Sequence, residues 1–426
     1  MTPKRTTTSA SGAIDTATTT DATSPTDAST NQTDAIYVNK SSNGTKTMNG
    51  TNSTFEARAP SAPGTTIPSY TPNIIKVTDV PSCMRASKYI PGDIDVQMLH
   101  HAPVPQPKAG EVLLKVAASG VCHTDTMILS NAIIDDRSYT LGHETAAWAV
   151  QLGEGVTDIE LGRLYALYAM VGCAAYAKQG CGTSGINGLG LGLDGGLAEY
   201  IVCNADLLVP VPDGLAPEIA AVGADSLLTV HNALYNVAKL RPENPKRVLV
   251  YGIGGLGHLA VQLAVHLGAQ VYACDYKPAA RRVALQCGAE QAFNLSELTQ
   301  ATASGKFTVD IVFDFVANRQ SFALSQAAVR RPWNDFQSDP GMVVIVGFSA
   351  DHLPMNAADI IINRTHVLSV LFGTKDDLRA SLDLLAKGIV KPIITVEPLE
   401  NLNKVLDDLR ASEVQGRRVI LPNLSV

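Results

Sequence analysis

Two stretches early in the chain and one later collect side chains able to do chemistry. Cys122, His123, Thr124 and Asp125 follow Gly120-Val121, and His143-Glu144 follow Leu141-Gly142 a short way downstream. Thiolate, imidazole and carboxylate are the ligand types that zinc takes. Spacing alone leaves a second reading open, with Cys122 a small buried hydrophobe and His143 a hydrogen-bonded core residue. The later stretch, Gly252-Ile253-Gly254-Gly255-Leu256-Gly257, fits the G-x-G-x-x-G pattern of a dinucleotide turn.

That glycine pattern gains meaning from the elements around it. An apolar strand, Arg247-Val248-Leu249-Val250-Tyr251, precedes it, and a helix carrying Leu256, Leu259, Ala260, Leu263, Ala264 and Leu267 on one side follows it. Gly252 allows the tight turn, Gly254 lets backbone approach a pyrophosphate and Gly257 lets helix and strand pack closely. Gly255 and Leu256 complete the turn, and the unpaired N–H groups of the helix start face the phosphates. The next strand ends at Asp275, placed to accept hydrogen bonds from the adenosine ribose and to repel a 2′-phosphate. The expected cofactor is therefore NAD(H), although Lys277 brings a cation close by. The stripe His258, Gln262, His266 and Gln270 predicts that one face of the helix meets solvent.

Around these motifs the chain divides into unlike parts. Of its 426 residues, 46% are hydrophobic and 17% charged, so most of it must fold. Residues 1–66 hold 26 Ser or Thr and only two aromatics, Tyr37 and Phe55, too little apolar side chain to offset ordering entropy. Residues 1–83 are expected to be a disordered, Ser/Thr-rich extension without a secretion signal. The net charge of −7 gives no drive toward nucleic acid or an anionic membrane. Val248 to Cys274 lacks Lys, Arg, Asp and Glu, but its glycines and polar stripe argue against a membrane span. The seven cysteines are scattered and odd in number, which suits a reducing, cytoplasmic setting and leaves thiolates for metal. Strands and loops dominate to about residue 225, and strand-helix alternation thereafter predicts a parallel sheet. Arg331 to Pro340 is expected to be a surface loop, with helices at 375–387 and 400–411.

The GVCHTD and GHE strings, the GIGGLG turn and the order of a β-rich domain before a nucleotide domain resemble the zinc-dependent alcohol dehydrogenases of the medium-chain dehydrogenase/reductase family. The resemblance runs over about residues 84–426. It implies a GroES-like catalytic domain at 84–226, completed by 372–426, and a doubly wound Rossmann domain at 227–371. It implies Cys122 and His143 as catalytic-zinc ligands, Glu144 beside the metal, and Asp225 where many relatives have a cysteine. One thiolate, one imidazole and one carboxylate still neutralise Zn²⁺. The other reading of Asp225 is an N-cap for a helix starting near Ser226. By the same resemblance Thr124 takes the substrate proton, Thr229, Phe315 and Val316 line the nicotinamide site, and Arg417 binds pyrophosphate.

Two departures from the family pattern stand out. Met127 occupies the position of the histidine that usually ends the proton relay, so the proton must leave Thr124 through the cofactor ribose and water, or through a group such as His123. Starting from Cys173, the other positions of a four-cysteine structural zinc site are Tyr176, Gln179 and Asn187, so one catalytic zinc and no structural zinc are expected. The implied activity is hydride transfer between NAD(H) and a primary or secondary alcohol, aldehyde or ketone, in a homodimer or homotetramer. The competing expectations are a zinc-free quinone or enone reductase on the same fold, and a nucleotide-binding relative without turnover.

Overall fold

The computed structural model describes residues 74–133, 135–171 and 187–424. Its strands in chain order are β1 Cys83–Lys88, β2 Gln97–Pro103, β3 Glu111–Val121, β4 Glu144–Leu152, β5 Leu164–Leu167, β6 Gly188–Leu189, β7 Gly192–Leu193, β8 Tyr200–Asn204 and β9 Leu208–Pro210. They continue with β10 Arg247–Tyr251, β11 Gln270–Cys274, β12 Gln291–Phe293, β13 Ile311–Asp314, β14 Met342–Ile345, β15 His366–Ser369, β16 Ile394–Pro398 and β17 Arg417–Leu421.

β3 organises the β-rich half. Eleven residues long and buried along almost its whole length, it pairs antiparallel with β4 throughout, with β8 at its start and with β17 at its end. The sheet runs β16-β17-β3-β4-β5-β9, so the last strands of the chain complete the first domain. Residues 74–83, assigned to the extension from sequence, lie along this domain: Ile75 N donates to Gly162 O at 2.9 Å, and Val77 and Val80 pack beside Val104, Leu113 and Val150. The expectation of disorder otherwise concerns residues outside the described ones, as do Cys173, Tyr176 and Gln179.

The second half is a six-stranded parallel sheet in the order β12-β11-β10-β13-β14-β15, the doubly wound Rossmann arrangement. Period-two alternation splits β10 between two cores: Val248 and Val250 face the large core shared with the catalytic domain, while Leu249 and Tyr251 face a smaller one with Phe293, Phe307 and Phe322. Both faces being covered, the central strands are continuous apolar runs. Because the strands are parallel, Gly252, Asp275 and Phe315 all follow strand ends on the same edge of the sheet. The loop at 331–340 is irregular and exposes Trp333 and Phe336. Among the described residues no helix is long and apolar enough to cross a membrane, and Val248 to Cys274 is strand, helix and strand.

Two expectations need revision. No helix begins near Ser226: a helical run starts at Pro217, and Asp225 sits within a π-helical segment, Gly223–Leu227. Its apolar chain neighbours Ala220, Val222, Ala224, Leu227 and Leu228 are fully buried and carry the helical run past it. The polar stripe of the helix Gly257–His266 is only partly solvated: His266 is exposed, but His258 is 0% exposed and Gln262 half-buried. Both meet backbone of the segment 391–393 instead.

Candidate active site

Strand register brings the metal candidates together. Gly120 of β3 pairs with Glu144 of β4, so Cys122, just past the end of β3, lies near His143, just before β4. Arg418 of β17 pairs with Val121, which sets Arg417 beside the same corner. Gly120 is glycine for a steric reason: a Cβ there would stand 2.5 Å from the carboxyl carbon of Glu144. Cys122 caps the helix His123–Leu129, where its N–H donates to Asp125 Oδ2 at 2.8 Å. From the other side the π-helical segment presents Asp225. Wide turns of this kind recur at functional sites.

Cys122, His143 and Asp225 are all buried, and one ligand atom from each lies within 4.8 Å of the others. His143 Nε2 is 3.6 Å from Asp225 Oδ2 and Nδ1 is 3.5 Å from Asp125 Oδ1. Neither ring nitrogen has a hydrogen-bond partner, an expensive state for a buried imidazole that a cation would relieve. Burial holds the His143 imidazolium down, but Asp125 and then Asp225 outweigh it and push its pKa well above the ordinary value. For Asp225, burial would raise the carboxyl, and His143 and Arg417 override it and hold it low. Thr124 Oγ1 is 3.5 Å from Cys122 Sγ.

Glu144 is fully buried, and Arg417 Nε donates to its Oε2 at 2.7 Å, while Arg417 Nη2 donates to Asp225 Oδ2 at 3.3 Å. Burial raises the Glu144 carboxyl to about 7 against the pull of Arg417. Arg417 also reaches the nucleotide side, since a Cβ on Gly255 would lie 2.8 Å from its Nη1. His123 is exposed, yet partial desolvation by the surrounding protein, followed by the cations Arg417 and Lys277, holds its imidazolium below the ordinary value. Met127 packs against the core.

In the glycine turn, Gly252 has φ of 90° and a Cβ on Gly257 would stand 1.9 Å from Gly252 O, so both positions demand glycine. A Cβ on Gly254 would meet nothing within 4 Å, leaving open space in front of the turn. Asp275 holds the turn by accepting from Ile253 N at 2.8 Å, and its other oxygen accepts from Lys277 N in its own loop at 2.8 Å. Lys277 Nζ donates to Ser412 O. Val316 and Phe315 lie against Gly252, and Thr229 Oγ1 is 3.5 Å from Asp225 Oδ1, one helical turn away.

Several neighbours escaped sequence reasoning. Asp125, expected from sequence to orient a ligand or backbone, is not among them: it accepts from Cys122 N and neighbours His143. Phe372, with φ of 51°, sets its ring 6.1 Å from that of His143 at 70°. Tyr168 Oη and Asn232 Nδ2 anchor its segment through Gly373 O and Phe372 O, at 2.8 and 2.6 Å. No local motif signals such a residue. His258 adjoins the glycine turn, but its spacing suggested solvent rather than contact.

Comparison with known proteins agrees with this construction. A family model described as the alcohol dehydrogenase GroES-like domain matches residues 108–213, and one described as zinc-binding dehydrogenase matches 255–387. An alcohol dehydrogenase of Geobacillus stearothermophilus is 32% identical over 326 residues, 74% of this chain and 93% of its own length. One from Moraxella sp. (strain TAE123) is 30% identical over 336 residues, 76% of this chain and 95% of its own. Among solved structures, the acetophenone reductase of Geotrichum candidum in complex with NAD matches with a TM-score of 0.69 and 28% identity, covering 81% of this chain and 98% of that one. The cobalt- and zinc-bound thermostable alcohol dehydrogenase of Pyrobaculum aerophilum matches with a TM-score of 0.68 and 27% identity, covering 80% and 99%. With both halves matched in order and the relatives spanned nearly end to end, the chain belongs to the zinc-binding alcohol dehydrogenases of the medium-chain dehydrogenase/reductase family.

Proposed function

We propose that this protein is an NAD(H)-dependent, zinc-containing dehydrogenase that interconverts primary or secondary alcohols with aldehydes or ketones. The observation that carries this reading is the buried trio Cys122, His143 and Asp225, with both His143 nitrogens unpartnered and ligand atoms within 4.8 Å. Those three side chains would hold the metal, with Glu144 behind them. When bound, zinc supplies Lewis-acid polarisation of the substrate C–O bond, and NAD(H) supplies or accepts the hydride.

The protein's own groups do the rest. Thr124, beside Cys122 Sγ, accepts the hydroxyl proton of the alcohol in the oxidising direction. Met127 packs against the core and carries no proton, so release from Thr124 needs another acceptor, which the exposed His123 or, once NAD(H) is bound, its ribose with water would supply. Phe372 narrows the substrate space beside His143. The turn Gly252, Gly254, Gly255, Leu256 and Gly257 cradles the pyrophosphate with Arg417, and Thr229, Phe315 and Val316 bound the nicotinamide side. Asp275 favours NAD(H): Lys277 is already engaged on Ser412 O, which leaves the carboxylate to set the charge met by a ribose 2′-substituent.

A reducing, cytoplasmic setting fits the five described cysteines, all free thiols. Self-association along β15 fits an edge strand flanked by exposed Ile361 and Leu371. The deciding experiment is zinc content together with NADH-linked turnover on a panel of aldehydes and ketones, for wild type and Cys122→Ala. We expect about one zinc per chain and turnover lost in the variant. Equal turnover in both proteins defeats the zinc mechanism, and enone reduction without zinc moves the reading to the zinc-free reductases.

A further inference from the structure

We propose that His258 is a positioning residue that sets the glycine turn and Arg417 in register for a dinucleotide's pyrophosphate; the role rests on the NAD(H) reading above. His258 is the second residue of the helix Gly257–His266 and is 0% exposed. Its Nδ1 lies 2.8 Å from Gly254 O, and its Nε2 is 3.0 Å from Ile393 N. Since Ile393 N–H must donate, Nε2 carries the lone pair and Nδ1–H donates to Gly254 O. Ile393 O in turn accepts from Arg417 N at 2.8 Å.

One ring therefore ties the glycine turn to the segment that carries Ile393. On one side it fixes the carbonyl of Gly254, the glycine that leaves the space in front of the turn clear. On the other it fixes Ile393 at the entry of β16, whose carbonyl holds the N–H of Arg417 at the start of β17, the residue that reaches over Gly255. A rigid side chain with one donor and one acceptor at opposite edges is required, and neutral imidazole is that group. Burial drives its pKa down to about 4, so the neutral form is kept at ordinary pH. Gln262, one turn further along the helix, exchanges hydrogen bonds with Lys391 N and O at 2.8 and 3.1 Å but does not touch the glycine turn. It secures the same docking without the positioning.

That difference supplies the test. NADH and adenosine affinities are measured by fluorescence and calorimetry on the zinc-loaded full chain. His258→Leu is expected to weaken NADH about tenfold or more, with adenosine, which engages only the Asp275 side, changed by less than about twofold. His258→Asn keeps a donor for Gly254 O and His258→Gln an acceptor for Ile393 N, so each falls between Leu and wild type. Gln262→Ala stays within about twofold of wild type. Wild-type NADH affinity in His258→Leu, or in both polar variants should the Leu protein not fold, overturns the proposal. Equal losses in Gln262→Ala and His258→Leu overturn it in favour of general docking. Wild type binding no NADH removes the dinucleotide reading itself, and the positioning role with it.

Discussion

The two corners of the candidate site are built by opposite strategies. The nucleotide corner is contiguous: five residues between β10 and the following helix, with Gly257 at the helix start, form the turn, and one carboxylate, Asp275, braces it through the N–H of Ile253. The metal corner is assembled from β3, the start of β4, a π-helical segment and β17, and is held by buried charge: Arg417 against Glu144 and Asp225, His143 between Asp125 and Asp225. A local motif tolerates drift in the rest of the chain, whereas a site made by strand register depends on every element that sets it. Damage to the two corners should accordingly differ in kind, affinity in one and chemistry with stability in the other.

The largest separation is expected from the ligands. Cys122→Ala or His143→Ala should lower turnover at least about a thousandfold with loss of bound zinc, while NADH binding changes little, because neither side chain belongs to the glycine turn. Metal analysis, steady-state kinetics and NADH fluorescence on the same preparations check this. Loss of NADH binding in step with zinc would show that the two corners are one cooperative site.

Arg417 belongs to both corners, and its removal should be felt as stability. Arg417→Ala leaves the fully buried Glu144 without its cation, and breaking such a pair costs about 3–5 kcal/mol. Glu144, raised to about 7 even with the arginine present, answers by taking up a proton. The loss measured by denaturant unfolding should therefore be smaller at pH 6 than at pH 8, and Glu144→Gln in the Arg417→Ala background should recover part of it. A loss independent of pH would separate the arginine from the carboxylate.

His258 offers a titration that isolates the nucleotide corner. Its folded pKa, about 4, lies below that of an unfolded histidine, so between the two values the unfolded chain holds the extra proton. The folded state is penalised as pH falls through this window, by up to about 3 kcal/mol at its lower end, and not at all above it. The difference in unfolding free energy between wild type and His258→Leu should shift against wild type as pH drops from about 6.5 toward 4. A constant difference would mean that the ring is not held neutral.

How much of this was legible in the sequence follows from the same contrast. The glycine turn, its flanking strand and helix and the strand ending at Asp275 could be read locally, because turn sterics and period act over a few residues. The metal trio could not be read from spacing, since 122, 143 and 225 meet only through strand register and a helix whose start lies at Pro217; the family resemblance supplied them. The N-cap reading of Asp225 failed because apolar chain neighbours carry the helix past it. The polar stripe misled at His258 because burial there is set by a segment 135 residues away, which no periodicity encodes. Ordering at 74–83 escaped notice because composition says nothing of a sheet edge that Ile75 can reach.

The smallest stability effect should come from Gly254, and it tests the nucleotide corner most finely. A methyl group there meets open space, so Gly254→Ala should leave stability within about 0.5 kcal/mol of wild type or raise it slightly by stiffening the unfolded chain. The same change at Gly257 drives a Cβ into Gly252 O and should cost several times as much. If the space in front of Gly254 is where phosphate oxygens approach the backbone, the added methyl must still weaken NADH, by about tenfold, because it occupies the ligand's place rather than the protein's. A stable Gly254→Ala protein with unchanged NADH affinity would put the pyrophosphate elsewhere, and unfolding and binding measured together on these two alanine variants distinguish a glycine kept for the fold from one kept for the ligand.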